Sequence, residues 1–92
     1  MLDVMKLGGV SGWLRAALIA AAGLSASSHA FPEVSVHLLG VTPTCHWLEY
    51  LDHVGPILAE PARIVDGHAL TPDRPGIGLE WDEDAVQRAL IR

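Results

Sequence analysis

Cysteine is nearly missing from this chain. Cys45 is the single one, which excludes an intrachain disulfide and a CxxC metal knuckle. Alone, Cys45 reads as a small buried hydrophobe. Basic residues are also few, six Lys and Arg against eleven Asp and Glu, for a formal net charge of −5. They are scattered, with no basic run, so the clustered positive charge that phosphate binding calls for is lacking and a general nucleic-acid binder is excluded. No apolar run reaches the roughly 20 residues of a membrane-spanning helix. HExxH is absent, and Gly8-Gly9 with Gly12 does not make a phosphate loop of the Rossmann or P-loop type. There is no internal repeat and no low-complexity tract.

What is present is apolar. Hydrophobic residues make up 50% of the chain and only 5% are aromatic; the mean hydropathy is +0.31. That is too hydrophobic for a disordered protein. It is also rich for an independent domain of 92 residues, which buries only about 60–65% of its unfolded surface. Such a chain expects partner surface.

The order of elements points to a parallel α/β arrangement. Met1 to Leu7 reads as the end of a strand, broken by Gly8-Gly9. Ser11 is a candidate N-cap, and Trp13, Ala16, Ala17, Ala20 and Ala21 follow the spacing of one helix face over residues 12–22. Gly23 stops that helix. A strand follows over 24–28. Pro32 and Glu33 open a second helix over 32–39, with Val34, His37, Leu38 and Val41 on its inner face and Gly40 at its end. Thr42-Pro43-Thr44 turns into a strand over 46–49. Past Asp52 the character changes. Val54 to Ala59 is apolar, Asp66-Gly67 has the form of a two-residue hairpin loop, Pro72 to Gly78 reads as an extended loop, and Asp82 caps a last helix from Glu83.

Three residues stand where strands of a parallel barrel end: Asp3, His29 and Glu49. Side chains at such ends face the active site. Neighbouring strands lie about 4.8 Å apart, so these groups can hydrogen-bond. An Asp beside a His fixes its tautomer and raises its basicity, and a Glu one strand further can hydrogen-bond a developing oxyanion. On spacing alone His29 as a cap and Glu49 as a surface acid remain open. Glu33 and His37 share a helix face as a solvated pair. His46, His53 and His68 have no ligand spacing. The N-terminus also resembles a secretory signal: Lys6 and Arg15 precede the apolar run from Ala16 to Leu24, and Ser28-His29-Ala30 looks like a cleavage site. The rival reading is therefore a small secreted binding protein beginning at Phe31.

Asp3-Val4-Met5-Lys6-Leu7-Gly8-Gly9-Val10-Ser11-Gly12-Trp13 resembles the segment ending the sixth barrel strand of mandelate-racemase-like members of the enolase superfamily. Ser27-Ser28-His29-Ala30-Phe31-Pro32-Glu33 and His37-Leu38-Leu39 resemble its seventh strand and following helix. Thr42 to Glu49 resembles the eighth strand, and Pro72 to Trp81 the C-terminal tail. The resemblance crosses the cleavage-like site without a break, which turns the alanine-rich run into a barrel helix. It implies that residues 1–56 are the end of a (β/α) TIM-type barrel and residues 57–92 a tail with a hairpin that packs on a capping domain. A complete barrel needs roughly 250 residues, so the domain would be incomplete and inactive alone. The resemblance further implies that Asp3 and His29 form a dyad with His29 as base, and that Glu49 is an acid on the substrate carboxylate. Mg²⁺ would be held by ligands on earlier strands, none of them here. The implied activity is racemisation or acid-sugar dehydration of a small carboxylate, in a cytoplasmic homo-oligomer with no nucleic-acid or membrane partner.

Overall fold

A computed structural model describes residues 1–91, and the chain divides into two compact units, Met1–Leu51 and Asp52–Arg92.

The first unit holds three short parallel segments, joined by single bridges between Leu2 and Ser28 and between Ala26 and Cys45. The parallel order expected for residues 24–28 and 46–49 is present, but not as continuous strands. One reason is Asp3, which bends the first segment as soon as it has paired: its Oδ1 accepts from the backbone N–H of Met5 at 2.9 Å and of Lys6 at 3.0 Å. The other is a loss of step in the third segment after His46, described below.

Helix α1 spans Val10–Ala20, earlier than the expected 12–22. Ser11 lies inside it and is not its cap; Gly9 takes that position, with no side-chain cap. The cause is the tight turn before it. Gly9 N–H donates to Val4 O at 2.8 Å and Leu7 N–H to Asp3 O at 3.0 Å, and Gly8 and Gly9 adopt φ of 82° and 85°, open to glycine at no steric cost. Trp13, Ala17 and Ala20 are buried, as the three-and-four spacing requires, while Ala21 is exposed. Val10, Leu14 and Leu18 form an exposed apolar stripe on the same helix.

Helix α2 spans Pro32–Gly40 and buries Pro32, Ser35, Leu38 and Leu39. The expected inner face was partly wrong. Val41 is 67% exposed, and the inward stripe runs through Ser35, whose hydroxyl hides the apolar periodicity. Val34 is partly buried against a core made of Val4, Trp13, Ala17, Leu38 and Leu39, with Leu2 and Leu48 beside it. Trp13 is fully buried. Its indole N–H donates to Thr42 Oγ1 at 3.1 Å, and the Thr42 hydroxyl donates on to Leu38 O at 2.7 Å. This chain of bonds ties α1 to the end of α2. Cys45, expected to be buried, is exposed.

In the second unit the Gly55–Ile57 turn leads to Leu58, which bridges Trp81 in antiparallel sense. Ala59 N–H donates to Glu80 O at 2.9 Å and Asp82 N–H to Ile57 O at 3.0 Å, so residues 57–59 pair with residues 80–82. Strands β1 (Arg63–Val65) and β2 (His68–Leu70) form a hairpin that pairs Val65 with His68. Asp66 and Gly67 make its turn with φ of 48° and 75°, as a type I′ loop demands. Helix α3 spans Glu83–Ala89, and the Asp82 carboxylate accepts from Ala85 N–H at 2.9 Å.

Two glycines in helices predict opposite outcomes. A Cβ at Gly12 would overlap the Leu7 carbonyl, whereas one at Gly40 meets nothing. Alanine has the better helix propensity by about 1 kcal/mol. Gly12→Ala should nevertheless destabilise the chain by about 1–3 kcal/mol, the usual range for overpacking, and Gly40→Ala should stabilise it by about 0.4–1 kcal/mol. Urea denaturation midpoints at unchanged slope check both. Trp13→Ala should cost about 3–5 kcal/mol in the same assay.

Candidate active site

Backbone pairing decides which side chains meet. Leu2 N–H donates to Ser27 O at 2.7 Å and His29 N–H to Leu2 O at 2.8 Å. Leu2 is therefore opposite Ser28, and Asp3 opposite His29. On the other side, Ala26 N–H donates to Thr44 O at 2.8 Å and His46 N–H to Ala26 O at 2.9 Å, which sets Ala26 opposite Cys45. A ladder continuing in step would set Trp47 against Ser28 and Leu48 against His29. The next bond departs from that: Ser28 N–H donates to Trp47 O at 2.9 Å, which sets Leu48 against Ser28. The third segment carries one extra residue, a bulge. Glu49 is thereby moved opposite His29. Leu2 and Leu48 lie against the core and Ser28 is fully buried, so the next residue of each segment points to the other face. Those residues are Asp3, His29 and Glu49.

His29 Nδ1 lies 2.8 Å from Glu49 Oε2, and Ala30 N–H donates to the same oxygen at 2.8 Å. An oxygen that accepts from the amide is an acceptor for the ring too. Nδ1 therefore carries the proton, which leaves Nε2 with the lone pair when the ring is neutral. The His29 and Glu49 side chains are 44% and 31% exposed, open enough for a small molecule to reach. Ala30 and Phe31 adopt φ of 52° and 48°, consecutive left-handed residues without glycine, each costing about 1–3 kcal/mol. The strain is held from both sides of Ala30. Its N–H donates to Glu49, and its carbonyl accepts from the Ser35 hydroxyl at 3.0 Å.

The structure thus brings His29 and Glu49 into direct contact. Asp3, expected to form a dyad with His29, stands opposite it in the ladder but spends its carboxylate on the Met5 and Lys6 N–H groups and the Lys6 ammonium, with no hydrogen bond to the imidazole. The Asp3 carboxyl is held below its ordinary pKa, first by the Lys6 backbone N–H; desolvation opposes this as the second-largest effect, and the Met5 N–H and the charges of Lys6 and His29 add to the lowering. Lys6 Nζ is 4.0 Å away and largely exposed, so that pair adds little.

Two serines beside this row were passed over in the sequence reading. Ser28 Oγ accepts from Glu49 N–H at 3.0 Å and Ser27 Oγ from Trp47 N–H at 3.3 Å. Their signal was only the pair of hydroxyls before His29. Among the described residues no three His, Cys, Asp or Glu side chains gather as a metal site. Within the row, Asp3 Oδ1 is taken by two N–H groups and Glu49 Oε2 by Ala30 and His29. No metal ligand is assigned to this chain.

The Asp3 shift carries a sign. A depressed carboxyl stabilises the fold above the ordinary aspartate pKa of about 3.9, and the contribution is lost as pH falls through the lower folded value. Acid titration of the wild-type chain should show this loss. In Asp3→Asn that part of the acid-side loss should be gone, with lower stability at neutral pH, as followed by denaturation midpoint against pH.

The family described as enolase C-terminal domain-like matches residues 1–85. A solved enolase from an alpha proteobacterium, BAL199, with bound magnesium is 51% identical with a TM-score of 0.91, over 97% of this chain and 25% of that one. An enolase from Bradyrhizobium complexed with magnesium and mandelic acid is 53% identical with a TM-score of 0.88, over 96% and 24%. The L-talarate/galactarate dehydratase of Salmonella typhimurium LT2 is 32% identical over 84 residues, 90% of this chain and 21% of the relative. The chain spans about a quarter or less of these proteins' length. The family match runs through Ser28-His29-Ala30, which leaves the secreted-protein reading without support, and no helix among the described residues is long and apolar enough to cross a membrane. This chain belongs to the enolase C-terminal domain-like family, beside mandelate-racemase-like and acid-sugar dehydratase enzymes.

Proposed function

We propose that these residues furnish one side of the active site of a racemase or acid-sugar dehydratase that removes the proton α to a carboxylate. The observation that carries this reading is the row of Asp3, His29 and Glu49, with His29 Nδ1 at 2.8 Å from Glu49 Oε2. His29 Nε2 is the base. It takes the α-proton as the C–H electron pair moves toward the carboxylate, and the imidazolium so formed sits beside the negative charge of Asp3. Glu49 acts as the acid: its Oε1, the oxygen not engaged by Ala30 and His29, carries a proton and donates it in a hydrogen bond to the substrate carboxylate. Magnesium, present in the solved relatives, has no ligand set here, and these roles belong to the chain's own residues. A small hydroxy acid is the substrate class, with mandelate and L-talarate as probes taken from the relatives.

The test is a hybrid in which this chain replaces the matching quarter of the Bradyrhizobium protein. Deuterium uptake from solvent is followed at the α-carbon of each mandelate enantiomer and of L-talarate. His29→Asn should abolish uptake on one face only, since a base reaches only the face it stands on. Asp3→Asn should weaken the same half-reaction. Glu49→Gln should slow both faces by roughly 10²–10³, the usual loss for one oxyanion-stabilising donor. Uptake from both enantiomers that survives His29→Asn would end the assignment of His29 as base.

A further inference from the structure

We propose that Ser28, with Ser27 beside it, is the positioning residue that sets the register of Glu49 against His29. The inference rests on the reading of His29 and Glu49 as site residues and adds the device that makes them neighbours.

The ladder shows how. Between Ala26 and Ser28 the second segment advances two residues while the third advances three, from Cys45 to Leu48. Such a bulge strips N–H groups of their carbonyl partners. The two serine hydroxyls take them up: Ser27 Oγ accepts from Trp47 N–H at 3.3 Å and Ser28 Oγ from Glu49 N–H at 3.0 Å. In step with Leu48, the Ser28 carbonyl would have received the Glu49 N–H, and the hydroxyl stands in for it. Ser28 is fully buried, where a hydroxyl is tolerated only with a partner, and Glu49 N–H is that partner. Without the hydroxyl the unbulged register becomes the better-bonded one. Leu48 then faces His29, and Glu49 moves on to Ala30. A one-residue slip also turns every later side chain to the opposite face, so the consequence is loss of the contact and not its lengthening.

The readout is the His29 tautomer in the full chain, labelled with ¹⁵N at histidine and observed by long-range ¹H–¹⁵N correlation at alkaline pH. The parent should show the Nδ1–H form, and Glu49→Ala should lose it. Ser28→Ala should reduce the Nδ1–H population relative to Nε2–H by roughly tenfold, the factor matching one ordinary hydrogen bond. Ser28→Thr keeps the hydroxyl and should keep the parent signature, which a purely volumetric role would not. Ser27→Ala, at a half-buried position, should show a smaller loss and serves if Ser28→Ala does not fold. The proposal is overturned if Ser28→Ala retains the parent tautomer, if Ser28→Thr loses it as fully as alanine does, or if Glu49→Ala leaves it unchanged. No substrate enters this measurement. A correct tautomer pattern with no α-proton exchange in the hybrid counts against the proposed function alone, and the reverse pattern against Ser28 alone.

Discussion

The contact between His29 and Glu49 depends on where the third segment falls out of step with the second. Parallel pairing fixes neighbours at two-residue intervals, and each strand carries alternate side chains to opposite faces. With Ala26 opposite Cys45, an unbroken ladder would present Leu48 to His29. The bulge sends Leu48 to the core and Glu49 to the open face. The same alternation carries Leu2 inward and Asp3 outward. Packing and site geometry are therefore one constraint: the register that turns Leu2 and Leu48 toward the core turns Asp3 and Glu49 to the face that carries His29.

A second consequence concerns strain. Ala30 and Phe31 hold left-handed conformations that such residues avoid, and they do so between His29 and the first turn of α2. Glu49 stabilises this loop through the Ala30 N–H, and Ser35 does so through the Ala30 carbonyl. The carboxylate that faces the imidazole is thus also a structural partner of the chain that carries the imidazole. Substitution at Glu49 acts on both, so a change in rate alone does not separate its chemical part from its structural part.

The helices and the hairpin were legible because their signals are local. Proline at the first turn, the alanine face of α1, Asp82 before α3 and Asp66-Gly67 each act within a few residues. The candidate residues Asp3, His29 and Glu49 came from a family resemblance and strand-end placement, which spacing alone left open, and the structure sets them in one row. The pairing within the site was not legible. Nothing in Ser27-Ser28 says that its hydroxyls replace carbonyls, because that depends on a slip between segments distant in sequence. The extent of the strands was over-read for a related reason: an apolar run marks where a strand can form, while Asp3 and the bulge decide where it stops. Cys45 was read as buried from its type, yet it pairs with Ala26 through backbone alone and its side chain is exposed. Ser35 was passed over because a serine interrupts the apolar stripe it belongs to.

The charges on this face bear on the proposed chemistry. Lys6 pairs with Asp3 at 4.0 Å and is mostly exposed, so that pair is worth little. Proton removal α to a carboxylate adds negative charge to the substrate, and a site that lowers that barrier must present donors or positive potential where the charge develops. Under the proposed reading the two halves of the task fall to different side chains: Asp3 favours the imidazolium on the base, and Glu49, as the acid, donates to the substrate carboxylate that receives the electron pair. Glu49 Oε2 is already held by the Ala30 N–H and His29 Nδ1, which leaves Oε1 for that donation.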